Sequence, residues 1–198
     1  RPGDSDSQTC PMQTLRSLLS VVQGSSLCRE PRDDWQIGYY KIELDGRLVG
    51  IITGASAVWA CKPRDEFFGI AKENRVAMID RIICNTVFRL EDNRPNLGSQ
   101  ILSLWRRRIV FDWILLYDVV PIGFETFIFG EGRFGALYKA DNWTYCGLTS
   151  GSTKVKPHGC YHPGIRKETE VKMVFCKHIT KEVKSAQQLS RKNTHGFS

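Results

Sequence analysis

LEDNRPNLGSQILSLWRRRIVFDWILLYDVVPIGFETFIF, residues 90 to 129, carries the order of elements on which the fold turns. Leu97, Ile101, Leu104, Trp105 and Val110 recur at the spacing of one helix face, behind a polar turn that runs from Glu91 to Asn96. The run VVPIGFETFIF, about 119 to 129, then reads as a buried strand, and ICNTVF before the turn places another strand around Ile82 to Phe88. The local order is strand, turn, long helix, strand.

Further upstream, WQIGYYKIELDGRLVGIITGA holds two β-rich runs separated by Asp45 and Gly46. That pair suits a type I′ turn, whose two central residues both need positive φ, so a β-hairpin is predicted. A polar connector is expected over 62 to 66. MQTLRSLLSVVQG, with Leu15, Leu18, Leu19 and Val22 at helical spacing and Gly24 as a stop, predicts a docking helix. Downstream, a short helix is expected after Gly132, and WTYCGLT and VKMVFCKHI predict two final strands. Residues 1 to 11 are polar and expected to be flexible. Residues 12 to 180 form one domain, and the tail from 181 to 198 has no periodic apolar face, so it reads as frayed helix or disorder. The class this order predicts is α/β, an α+β sandwich with a mixed central sheet and flanking helices.

The 198 residues are 41% hydrophobic and 25% charged, which is ordinary for a globular chain with one core. Net charge is +7, an excess that favours polyanionic partners. Seven scattered cysteines without a CxxC pair argue against a disulfide framework and for a reducing, cytoplasmic setting. No apolar run approaches the ~20 residues of a membrane span, and no signal-peptide pattern opens the chain.

NLGSQILSLWRRRIVFDW (96 to 113), GFETF (123 to 127) and GRFGALYKADNWTYCGLTSG (132 to 151) resemble, in order and spacing, the DruA family of Druantia anti-phage systems. DGRLVGIITGASAVWACKPRDEFFGI and ICNTVFRL look like that family's hairpin and following strand, so the resemblance runs from about 33 to 151. The family is in turn similar to the Mom DNA-modification proteins of Mu-like phages. These share a GNAT-like fold and a Tyr-x-Ala-x-Asn-Trp segment, here Tyr138 to Trp143. The resemblance implies a GNAT-like core and a nucleic-acid-directed protein of phage conflict. Its Mom-like branch implies transfer of a small acyl-type or amino-acid-derived group to a base amine. A non-catalytic DNA-sensing subunit of a defence complex is the rival reading, and an acetyl-CoA-dependent N-acetyltransferase a third. Further subunits of such a system are implied as partners beside DNA.

Glu125, between Phe124 and Phe127, is the candidate general base, because burial disfavours its charged form; the bland alternative is a carboxylate paired with Arg or Lys. Tyr138 is the candidate proton donor, or else a core aromatic. Asn85, Trp59 and Asn142 are candidate substrate contacts. Asn85 reads equally well as backbone pinning, and Asn142 as a turn cap. Trp143 reads as core. Asn96, Gly98 and Ser99 open the long helix where GNATs that bind acetyl-CoA carry Arg/Gln-x-x-Gly-x-Gly/Ala. Here Leu97 stands at the first Gly, so an anion is accommodated more readily than coenzyme A, and the donor stays unassigned. Lys139, Lys154 and Lys156 are candidate nucleic-acid contacts. Arg106, Arg107 and Arg108 fan out by ~100° each, so they form no single patch; a solvated face accounts for most of them, and Arg108 with Asp112 is spaced to pair. His158, Cys160, His162, Cys176 and His178 lack metal-site spacing, so no metal is assigned.

Overall fold

A computed structural model describes residues 19–21, 36–129, 134–154, 166–179 and 182–184. The hairpin forms where the Asp-Gly pair places it. Strand β2 (Ile37–Leu44) turns into β3 (Arg47–Ser56) through Asp45 and Gly46, at φ 52° and 77°. A short strand, β1 (Leu19–Val21), pairs antiparallel with β2, Leu19 facing Ile42. The docking helix expected at Leu19 is therefore replaced there by strand, because backbone pairing with an open sheet edge outweighs a weak helical periodicity. Leu15, Leu18 and Val22 lie outside the described residues.

After β3 the polar connector expected at 62 to 66 is a helix, α1 (Lys62–Phe68), followed by α2 (Arg75–Ile79). Pro63 in the first turn and an αL C-cap at Gly69 (φ 65°) delimit α1, a start-and-stop pair that its charged composition masks. Strand β4 (Ile82–Leu90), the long helix α3 (Leu97–Tyr117) and β5 (Gly123–Ile128) follow as predicted. Then come α4 (Ala136–Ala140), β6 (Thr144–Leu148), the small ribbon of β7 (Ser152–Lys154) and β8 (Arg166–Glu168), and β9 (Met173–His178). The main sheet runs β1-β2-β3-β4-β5-β9-β6. Only β4 and β5 are parallel, joined over α3 by a crossover. This is a mixed α/β sheet with flanking helices, the class that the order of elements predicts.

The sheet separates two hydrophobic clusters. On one face α3 buries Ile101, Leu102, Trp105, Ile109, Val110 and Trp113 against Tyr40, Ile42, Ile52 and Phe124. Each such side chain contributes about 1.5–3 kcal/mol. Leu104, expected on that face, is only half-buried. The helix lies close because β3 presents Gly54, whose absent Cβ would stand 2.2 Å from Ile109 Cδ1. On the other face α1 and α2 cover Ile82, Val174 and Cys176. A helical turn at 182–184 adds Val183 to the α3 cluster. No helix among the described residues is long and apolar enough to cross a membrane.

Candidate functional site

Strands β4 and β5 pair over four rungs, Ile82 with Gly123 through Asn85 with Thr126, and then part, β4 staying paired with β3 and β5 with β9. The fork that opens beyond the last rung is filled from within. Tyr138, on α4, donates its hydroxyl to Asn85 Oδ1 at 2.7 Å, while Thr126 Oγ1 donates to the Asn85 carbonyl at 3.0 Å. Asn85 Nδ2 donates to the carbonyls of Thr53 and Val87. Burial pushes the Tyr138 phenol up to about 12, away from proton transfer near neutral pH. Asn85 and Tyr138 are thus brought together as predicted residues, but as a buried clasp rather than as groups facing a substrate. Helix α4 also packs closely on the start of α3. A Cβ on Gly98 would stand 2.9 Å from Leu137 Cδ1 and 3.9 Å from Phe88. Gly98 is small because α4 packs on α3. Asn96 sits at φ 60° without capping through its side chain, and Ser99 Oγ turns back to the Asn96 carbonyl.

The rest of the Tyr138-to-Trp143 segment is anchored in the same way. Asp141 accepts two bonds from Arg106, at 2.6 and 2.8 Å, and one from Trp143 Nε1 at 2.8 Å. Arg106 also pairs with Glu182. Lys177 Nζ donates to the carbonyls of Asp141 and Asn142. Asn142 is exposed at φ 58°, a turn residue in the left-handed region that Asn tolerates, and it does not face a site with Tyr138. Trp143 is core, as read. Arg106 leaves the solvated face expected of its cluster because Asp141 holds it inside. Arg108 does pair with Asp112, at 2.9 Å.

Glu125 points to the opposite face of the sheet, since it alternates with Thr126, the neighbour of Tyr138. The two candidate catalytic groups therefore do not converge. The Glu125 carboxylate is fully buried, with Oε1 accepting from the Val58 N–H at 3.0 Å and Oε2 from Arg64 Nη1 at 2.8 Å. Arg64 also donates to Asp65 (2.7 Å) and to the Val58 carbonyl (2.8 Å), and Arg75 links Asp65 to the Trp59 carbonyl. Desolvation raises the Glu125 carboxyl above the ordinary carboxylate range despite Arg64. Burial likewise lifts the Cys61 thiol up to about 11. Sequence reading named Glu125 and allowed the ion pair. It missed Arg64 and Asp65, whose signal was the Pro-Arg-Asp helix start inside the presumed connector, and Arg75, the first residue of α2.

The loop that Arg64 and Arg75 pin above Glu125 forms one wall of a cleft of about 580 Å³. Val58, Phe127 and Leu148 give it apolar surface, and Thr149, Ser150 and Thr169 give it hydroxyls. Its charges cancel, with Lys62 and Lys172 against Glu66 and Glu170. Trp59 is 61% exposed and lies in the chain between the lining residues Val58 and Ala60, without lining the cleft itself. Of the described site residues expected from sequence, none lines this cleft, and Glu125 lies behind its Val58 wall. Lys139 is exposed on α4. Lys154 falls in β7, and Lys156 lies outside the described residues, as do His158, Cys160 and His162. Cys176 is buried and His178 stacks on Phe67 at 4.5 Å; no group that could hold a metal ion occurs among the described residues.

Fold and site together define an α/β protein with a charge-neutral cleft, large enough for a nucleotide, above a buried ion pair. Residues 35–167 match the family of the Druantia protein DruA, and the chain belongs to that family. No curated protein matches it. Among solved structures it is similar to an acetyltransferase from Salmonella typhimurium that modifies the N-terminal serine of a ribosomal protein (10% identity, TM-score 0.43, 73% of this chain and 64% of that one). It is also similar to Mycobacterium smegmatis RimJ in complex with CoA-disulfide (12%, 0.44, 79% and 61%). An aminoglycoside acetyltransferase solved with coenzyme A and kanamycin gives 12%, 0.42, 78% and 71%. The chain thus spans less than two-thirds of the length of the first of these.

Proposed function

We propose that this chain is the DNA-directed component of an anti-phage system, and that it receives a base, taken out of the duplex or from single-stranded DNA, in the cleft beside Trp59. The observation that carries the reading is the lining of the cleft: apolar walls for a planar ring, hydroxyls for its polar edge, and no net charge to attract a phosphate instead. Thr149 Oγ1 already accepts from the Lys172 N–H, so its own hydroxyl proton is left to donate to a base edge. The family supplies the defence context, in which further subunits act with this chain. Membership in a cytoplasmic complex follows from that reading.

Recognition without chemistry is the form of this function that the geometry favours, because both oxygens of Glu125 are engaged and Tyr138 faces the other side of the sheet. One observation supports group transfer as the second reading. Glu125 is a carboxyl with raised proton affinity that lies one residue layer behind Val58 in the cleft wall. In that mechanism the Val58–Arg64 loop opens and the exocyclic amine attacks an activated acyl or aminoacyl donor. The N–C bond forms as the donor's leaving group departs, and Glu125 takes the amine proton. Nucleoside mass spectrometry of DNA from cells expressing the chain decides between the two forms. Unaltered nucleosides together with binding of oligonucleotides support recognition, a new base that disappears in Glu125→Gln establishes transfer, and neither modification nor binding refutes both.

A further inference from the structure

The hairpin and its neighbour carry an open surface that the cleft does not use. Tyr40, Ile42 and Ile52 point toward α3, so the alternate residues of β2 and β3 face outward. Two cross-strand rows result. Tyr39, Thr53 and Val87 form one, and Lys41, Ile51 and Arg89 form the next. Tyr39, Ile51 and Val87 are between 41% and 47% exposed, and Lys41 and Arg89 are exposed as well. Neither cation has an ion pair among the described residues. No acidic residue stands in either row; Glu43 comes one rung beyond, opposite Leu48.

A bulge beside the first row, on the side away from the second, adds a hydroxyl. The register of β3 with β4 shifts at Thr53, leaving Thr86 as the extra residue, exposed, with its hydroxyl 2.7 Å from Thr53 Oγ1. Thr53 Oγ1 also accepts from the Val87 N–H at 3.1 Å. Thr53 is buried, so Thr86 carries the hydroxyl of the pair that a ligand can reach. Two free cations, an exposed hydroxyl and a half-exposed tyrosine on one sheet face suit a single nucleic-acid strand, phosphates by charge and bases by stacking.

We infer that this face is a docking track for the backbone of single-stranded DNA, with Lys41, Arg89 and Thr86 contacting phosphate and Tyr39 stacking on a base. Its occupant rests on the reading of the cleft as a base site. Strand β3 runs from Ile51 past Thr53 to Ser56, about 17 Å at 3.3 Å per residue, and Val58 at the cleft wall follows two residues later, so the track leads the strand toward the cleft over several nucleotides.

The test measures fluorescence anisotropy of the whole chain with a labelled single-stranded oligodeoxynucleotide, and with the same oligonucleotide carrying one central abasic site. Lys41→Ala with Arg89→Ala weakens binding of both about tenfold or more, and the slope of log affinity on log salt becomes shallower by about 1.4, for two phosphates at about 0.7 each. Tyr39→Ala weakens both about fivefold or more. These residues are exposed, so urea unfolding of the variants matches that of the wild type. Unchanged affinity and slope in the double variant, or no binding by the wild type at low salt, overturns the track. If the variants lose binding while intact and abasic strands bind equally, the track stands and the base-in-cleft reading falls.

Discussion

Replacing Arg64 by Met tests whether Glu125 is sealed from solvent, the feature on which the choice between recognition and transfer depends. The guanidinium is fully buried and makes three bonds: to Glu125 Oε2 at 2.8 Å, to Asp65 Oδ1 at 2.7 Å and to the Val58 carbonyl at 2.8 Å. Methionine fills much of the same volume without the charge. A buried carboxylate left without its counter-ion costs about 3–5 kcal/mol, and the orphaned Val58 carbonyl adds about 1 kcal/mol. The expected loss is therefore about 4–6 kcal/mol, a large part of the roughly 5–15 kcal/mol that holds a domain folded. The pH dependence has a definite sign. Desolvation already raises the Glu125 carboxyl above its ordinary value of 4.5, and removing Arg64 raises it further. A folded-state carboxyl that holds its proton more tightly than the unfolded chain favours folding at low pH, so its stabilising contribution is lost as pH rises through the folded value. The deficit of Arg64→Met is thus smallest below the raised folded value of wild-type Glu125, where both proteins lose stability alike with pH, and grows by about 1.4 kcal/mol per unit above it, until Glu125 ionises inside the variant's fold. Adding Glu125→Gln removes the charge that needed the guanidinium, so the double variant is more stable at neutral pH than Arg64→Met alone. Urea unfolding at a series of pH values reads all three effects. An Arg64→Met variant within about 1 kcal/mol of wild type, with no added pH dependence, would show that water reaches Glu125. The base role would then be restored.

Tyr138→Phe leaves Asn85 Oδ1 buried without its donor and lowers stability by about 1–3 kcal/mol in urea, while oligonucleotide affinity is unchanged. Asp141→Asn strips the charge from the carboxylate that Arg106 and Trp143 share and costs about 3 kcal/mol in the same assay. Gly54→Ala drives a methyl group into Ile109, Ile83 and Trp105, with contacts of 2.2 to 3.0 Å, and lowers the thermal midpoint by the equivalent of about 1–3 kcal/mol.

The long helix and the strands on either side were legible because their signals are local and repeated: Ile101, Trp105 and Val110 on one stripe, and Asp45-Gly46 in a turn that needs two positive φ values. Strand β1 and helix α1 were not. Leu19–Val21 is strand only because β2 offers an edge, a tertiary fact, and α1 is a charged seven-residue helix whose buried face is Arg64, Asp65 and Phe68 rather than an apolar stripe. That composition also hid the partner of Glu125. Sixty-one residues separate the two charges, and nothing local in the sequence marks which of the chain's basic residues closes the pair.

The segment from Tyr138 to Trp143 shows why sequence resemblance is a poor guide to chemistry here. Each of its polar side chains with a buried partner ties elements together: Tyr138 closes the β4–β5 fork, and Asp141 clamps α3 through Arg106 and seats Trp143. Tyr138 and Asp141 would therefore be demanded by the fold even in a chain that catalyses nothing, because replacing either leaves a buried group unpaired. Glu125 differs in one respect. Its clasp is made by a loop, Val58 to Cys61, that is also the wall of the cleft, so whatever enters beside Trp59 presses on the group that screens the carboxylate. A ligand held against Val58 and Phe127 thus acts on the Arg64–Glu125 pair directly, whereas one bound near α4 meets only packed side chains. Any response to DNA, chemical or conformational, is expected to begin on the α1 face of the sheet, where the loop is held by Arg64 and Arg75 rather than by the hydrophobic core.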